Sequence, residues 1–143
     1  MIISTKDLGN VEISREDIIT FPHGLYGFKN FHRFVLLSDN KKNNPFIWLQ
    51  CVDSREPRFV VIDPLRVFEN YNVPGDCVQS HIPFDDESDL RILAITTVTV
   101  GTKEIYVNLK CPIVINARHN IAEQVILDNE EYPLRYYLLK REG

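Results

Sequence analysis

The 143-residue chain is poor in the residues that staple, anchor or secrete a protein: it has three cysteines, one methionine, one tryptophan and six glycines. Cys51, Cys77 and Cys111 are odd in number and widely separated, which argues against a disulfide framework and suits a reducing cytosol. No apolar stretch approaches the roughly 18 residues that a membrane helix needs. Met1–Asp7 carries neither a basic lead nor an apolar run, so no signal peptide is expected and the cytoplasm is the expected location. What remains is ordinary for a globular protein: 44% hydrophobic and 25% charged residues, with eight prolines spread along the chain. The length fits one domain, 1–143, with enough chain to bury a core unaided.

A basic surplus is also missing. The net charge of −4 comes from 16 Lys and Arg against 20 Asp and Glu, and its distribution is uneven. Residues 63–104 hold three basic residues (Arg66, Arg91, Lys103) and eight acidic ones, a segment net of −5, while both flanking segments are close to neutral. Five of the eight acids, Asp76, Asp85, Asp86, Glu87 and Asp89, lie within 14 residues. Such a stretch repels a phosphate backbone, so direct nucleic-acid binding is not expected; it can instead steer a basic protein partner or simply keep a loop solvated.

Short runs rich in β-branched and aromatic residues recur between turn residues, which is an all-β pattern. Met1–Thr5 and Asn10–Ser14 predict an opening hairpin around Lys6–Gly9. Asp17–Phe21, Arg33–Ser38, Phe46–Val52 and Arg58–Asp63 follow as strands. Asp63 before Pro64 predicts a capped short helix toward Tyr71, and Val78–Ile82 is expected to be a brief edge strand. Leu90–Val100 is the longest strand signal and has apolar residues on both faces, which predicts a strand that runs from one layer to another or bends around a barrel, its surroundings changing along its length. Glu104–Leu109, Pro112–Asn116 and Ile121–Leu127 complete the series, and Pro133–Leu139 reads equally as a helical turn or a strand. The expected fold is a small antiparallel β-barrel or closed sandwich with one short helix.

Reactive side chains form no recognisable constellation. Neither Cys-x-x-Cys nor His-Glu-x-x-His occurs, and Cys77 and His81, four apart, are expected on a strand or loop, where that spacing does not converge on a metal. Cys51 and Cys111 sit in apolar strands as small hydrophobes. Gly-x-Ser-x-Gly is absent. His23 is the best single candidate for a general base, although loop histidines are mostly surface or backbone-bonding groups. Gly24-Leu25-Tyr26-Gly27-Phe28 lacks the Lys-Ser/Thr of a phosphate loop and reads as a tight turn with a hydrophobic plug. The aromatics alternate into the core without a basic stripe, unlike a single-strand binder. No catalytic residue, metal or cofactor is expected. A small-ligand barrel would need an internal cavity, and an enzyme a pocket with His23 or His119 beside a carboxylate.

Four strings carry a more specific signal: Phe21–Phe28 (FPHGLYGF), Phe46–Gln50 (FIWLQ), Val61–Pro64 (VIDP) and Val107–Asn116 (VNLKCPIVIN). Their order and spacing over nearly the whole chain resemble the flagellar assembly factor FliW family, with Cys111 where the family is expected to have Ala. The resemblance implies a small barrel-like protein without catalytic activity that binds the RNA-binding regulator CsrA. It relieves CsrA's repression of flagellin mRNA by an allosteric route and also binds flagellin, which competes for it. Asp76, Asp85, Asp86, Glu87 and Asp89 are the residues expected to face CsrA, on the ground of charge complementarity. Flagellin-binding residues are not assignable, and the free protein is expected to be a monomer.

Overall fold

The computed structural model describes residues 1–39 and 41–140. Its strands are β1 (Ile2–Ser4), β2 (Asn10–Glu12), β3 (Ile19–Thr20), β4 (Arg33–Leu37), β5 (Ile47–Cys51), β6 (Arg58–Ile62), β7 (Leu90–Thr99), β8 (Glu104–Val107), β9 (Ile113–Asn116), β10 (Ile121–Gln124) and β11 (Tyr136–Leu139). One α-helix, α1 (Gly75–Gln79), lies between β6 and β7. β1 and β2 form the opening hairpin, and the other nine strands make one sheet.

That sheet closes on itself. β3 through β7 pair in sequence, β9 pairs with the first half of β7, β10 pairs with β9, and β10 returns to β3. Seven strands therefore form the ring, and six of its seven junctions are antiparallel. An odd ring cannot alternate direction throughout, so one junction must be parallel; it is the Thr20–Ile121 pair of β3 and β10. This is the one departure from the antiparallel barrel expected from sequence. β8 continues the line of β9 along β7. Between the Leu93–Ile113 and Thr96–Val107 pairs, two residues of β7 face five of the returning chain, and that excess splits one long strand into two. β11 pairs with β8 and extends the sheet beyond the ring, which decides in favour of a strand for the tail.

The two-faced apolar pattern of β7 has a direct cause. Leu93 and Ile95 face the barrel interior with Phe21, Phe34, Leu49, Val61, Ile113 and Ile115. Leu90, Ile92 and Ala94 face the opposite way, into a second core beneath the 64–84 segment and the stretch around Val125–Tyr136. A third cluster, Ile3, Ile13, Val35 and Val52, lies under the β1–β2 hairpin on another part of the wall. The strands are covered outside as well as inside, and near-continuous hydrophobic runs follow. Large fully buried side chains, Phe21, Phe34, Leu25 and Leu49 among them, fill the interior, so the space a ligand barrel requires is occupied.

The expected edge strand over Val78–Ile82 is incorrect. Pro74 opens a single helical turn, Gly75–Gln79, and Ile82 N–H donates to the Val78 carbonyl at 2.8 Å. Val78 and Ile82, four apart, both enter the second core. Their alternation with Ser80 imitates a strand, but the buried pair has helical spacing. The capped turn after β6 is present as a 3-10 turn, Pro64–Arg66, in which Leu65 N–H donates to the Asp63 carboxylate at 3.0 Å.

Tyr71 fastens this outer layer to the sheet. Its buried hydroxyl donates to the Leu109 carbonyl at 2.6 Å, and its ring lies 4.4 Å from that of Tyr132. Burial, followed by the neighbouring Tyr132, pushes the phenol well above its ordinary 10.0. The unfolded chain then loses the proton first, and stability falls as pH rises past that ordinary value. Tyr71→Phe should cost about 1–2 kcal/mol at neutral pH and flatten the alkaline limb of a urea-denaturation series. An alkaline limb unchanged in the variant would contradict this assignment.

Candidate partner-binding surface

The acidic residues of 76–89 make an acidic end to the outer layer, carried by α1, by the 3-10 turn in contact with it and by one wall of a groove. Asp76 is on α1, and Glu87 and Asp89 bound a 3-10 turn that leads directly into β7. The Glu87 carboxylate lies against Gly75, where a Cβ would stand 2.8 Å from Oε1, so the start of α1 and the acidic turn are in contact. Asp86 has a different task from its neighbours: it caps the turn by accepting from Ser88 N–H at 2.9 Å, a bond that also holds its carboxyl below the ordinary range. Asp89 lies 3.8 Å from the Arg118 guanidinium, a separation that leaves the pair weak at a surface. Asp76, Asp85 and Glu87 have no ion pair among the described residues and carry the free negative charge.

Beside them runs a surface groove of about 600 Å³, walled by His81, Phe84, Asp85, Asp89, Arg118 and His119. Asn116 supports it from below, its amide donating to the Pro83 carbonyl at 3.0 Å. Across β10, Glu123 Oε1 lies 3.2 Å from His23 Nδ1 and Oε2 lies 3.6 Å from His81 Nδ1. Residues 23, 81 and 123 are far apart in the chain, and no local spacing announces this cluster. Nor does any local signal announce Arg118, which the β9–β10 turn delivers to the acidic end.

The other reactive candidates are dispersed. Cys51 is buried in the barrel core, and Cys77 packs against the second core. Cys77 and His81 turn out to flank a helical end rather than a strand, yet no group of three or more His, Cys, Asp or Glu side chains among the described residues is placed to hold a metal. Burial pushes the Cys111 thiol up, away from the thiolate. His32 Nδ1 lies 2.9 Å from the Phe21 carbonyl, a backbone bond. His23 does lie beside a carboxylate, Glu123, and His119 lines the groove that Asp85 and Asp89 also line, but His23 is 77% exposed. The groove is lined by no serine, threonine or cysteine that could act as a nucleophile.

The glycine loop is structural. Leu25, not Phe28, is the plug: it is buried in the first core, while Phe28 remains partly exposed. Tyr26 N–H donates to Gln124 Oε1 at 3.0 Å, and the Gln124 amide donates to the Cys111 carbonyl at 3.1 Å, so the loop is bolted to β10 and to the chain before β9. The VIDP string supplies the end of β6 and the Asp63 cap, and the VNLKCPIVIN string supplies the split between β8 and β9.

The model of the FliW protein family matches residues 2–138. This chain belongs to the FliW family. Among similar FliW proteins, the flagellar assembly factor FliW of Thermoanaerobacter pseudethanolicus is 37% identical over 143 residues, covering 98% of this chain and 94% of its own. That of Ruminiclostridium cellulolyticum is 35% identical, covering 97% and 95%. A crystal structure of the flagellar assembly factor FliW superimposes over 100% of both chains with a TM-score of 0.85 at 33% identity. The split barrel is thus the FliW fold, and FliW proteins are flagellar assembly factors rather than members of an enzyme family. No helix among the described residues is long and apolar enough to cross a membrane.

Proposed function

We propose that this FliW-family protein is a partner switch that couples flagellin synthesis to export. As a single cytoplasmic domain over 1–143, monomeric when free, it binds CsrA and relieves repression of flagellin mRNA. Unsecreted flagellin competes for it, so CsrA is released when flagellin accumulates. It works without a cofactor, without touching nucleic acid or membrane, and without catalysis. Membership of a family of flagellar assembly factors supports the setting. The observation that supports the CsrA-facing assignment is that Glu87 lies against Gly75 at the start of α1, which carries Asp76, while Asp85 lines the groove that Gln79 of α1 also lines, none of the three having an ion pair among the described residues. A basic RNA-binding partner would be steered to such a surface, with the gain appearing in the association rate.

The test is a triple charge reversal, Asp76→Lys/Asp85→Lys/Glu87→Lys, with Asp86 retained because its carboxylate caps the 3-10 turn. At low ionic strength, association with purified CsrA should slow by about tenfold or more and lose most of its salt dependence. Unchanged kinetics would remove this surface from the reading. If the wild-type protein bound neither purified CsrA nor purified flagellin, the partner-switch function itself would be wrong.

A further inference from the structure

Three of the four histidines, His23, His81 and His119, gather at the acidic end, although nothing in their chain positions predicts it. His81 lies 3.6 Å from Glu123 on β10 and lines the same groove as Asp85 and Asp89. His119 shares the groove with the same two aspartates and with Arg118. His23 meets Glu123 from the glycine loop, and Tyr26 of that loop lies near enough to Glu123 to feel its charge. These are the charged and titratable groups that face the histidines from the 79–89 segment, the β9–β10 turn, β10 and the glycine loop.

Counting them shows why the arrangement matters. With neutral His81 and His119, Arg118 stands alone against Asp85 and Asp89 in the groove lining, a formal −1; with both as imidazolium ions, three cations stand against the same two carboxylates, a formal +1. Histidine is the side chain that ordinarily changes charge between about pH 5 and 8. Protonating the two groove histidines therefore removes two units of negative charge from the surface that also carries Asp76, Asp86 and Glu87. Protonation also completes the His23–Glu123–His81 ion pairs, tying the glycine loop and the end of α1 to β10.

We propose that the acidic end is proton-gated: protonation of His81 and His119 weakens capture of a basic protein partner, so acidification releases it. This deepens the CsrA-binding reading and rests on it.

The experiment measures association and equilibrium binding of purified CsrA at about pH 8 and about pH 6 at constant ionic strength. Wild-type protein is compared with His81→Gln/His119→Gln, and thermal unfolding at both pH values establishes that each protein is folded. Protonation of CsrA itself affects both proteins alike, so the informative quantity is the difference between their pH ratios. Affinity of the wild type should fall by roughly five- to tenfold on acidification, mainly through slower association, and that of the double variant by less than about twofold. Equal pH ratios for the two proteins would overturn the proton gate and leave the CsrA-binding reading intact. Absence of CsrA binding by wild type at both pH values would instead sink that underlying reading, and the gate with it.

Discussion

Gly24→Ala is expected to lower stability by at least about 3 kcal/mol, whereas Gly27→Ala, three residues away in the same loop, should cost only about 1–2. Both glycines have left-handed backbone, with φ of +65° and +84°. An L-residue pays for that conformation at either position, and this accounts for the whole effect at Gly27, where an added Cβ would meet nothing within 4 Å. At Gly24 the same Cβ would stand 2.6 Å from the Phe28 carbonyl oxygen and 2.7 Å from Lys29 Cα. Those are backbone atoms of the returning loop and cannot rotate aside. The turn would have to open, and opening it pulls on Leu25, which is buried in the first core, and on the Tyr26–Gln124 bond. Urea unfolding of the two variants side by side checks this; equal midpoints would mean that the close approach at Gly24 is not a constraint.

The second large effect is at the centre of the barrel. Phe34 on β4 is fully buried, meets the Phe21 ring edge-on at 5.2 Å and lies 6.3 Å from that of Phe59. Its strand pairs with β3 on one side and β5 on the other, so the cavity left by Phe34→Ala would be bounded by hydrogen-bonded strands that cannot close around it. A loss of about 3–5 kcal/mol is expected, a large part of the roughly 5–15 kcal/mol that holds a typical domain together. Phe28→Ala, at a ring 37% exposed, should cost about 1 kcal/mol and serves as the control. A small effect at Phe34 would mean that the barrel interior is looser than its packing implies.

Legibility from sequence followed the range of the interactions involved. β4, β5, β6 and β7 were readable because each is specified by its own run of β-branched and aromatic residues, bounded by local turn signals such as Asp63–Pro64. The four family strings were equally readable, since each holds a local feature: the glycine turn, strand β5, the capped end of β6, or the split between β8 and β9. Val78–Ile82 departs from the expected edge strand for a physical reason. A single helical turn has too few residues to display a period, and Val78, Ser80 and Ile82 satisfy strand alternation as well as they satisfy i, i+4. Among the expected partner-facing residues, Asp86 was legible only as a charge; its role as a cap depends on the conformation of the turn.

Composition and pattern determined that the chain is all-β, with its excess negative charge confined to one stretch, because these are properties of neighbouring residues; the family rests on the resemblance of the four strings and on the family-model match. Only the tertiary structure decided that the ring holds seven strands with one parallel junction, that β7 is buried on two sides, and that Arg118, Glu123 and three histidines meet the acidic stretch. Each of these depends on contacts between residues tens of positions apart. Such contacts are set by how the sheet closes and what covers it, and local preference contains no information about either.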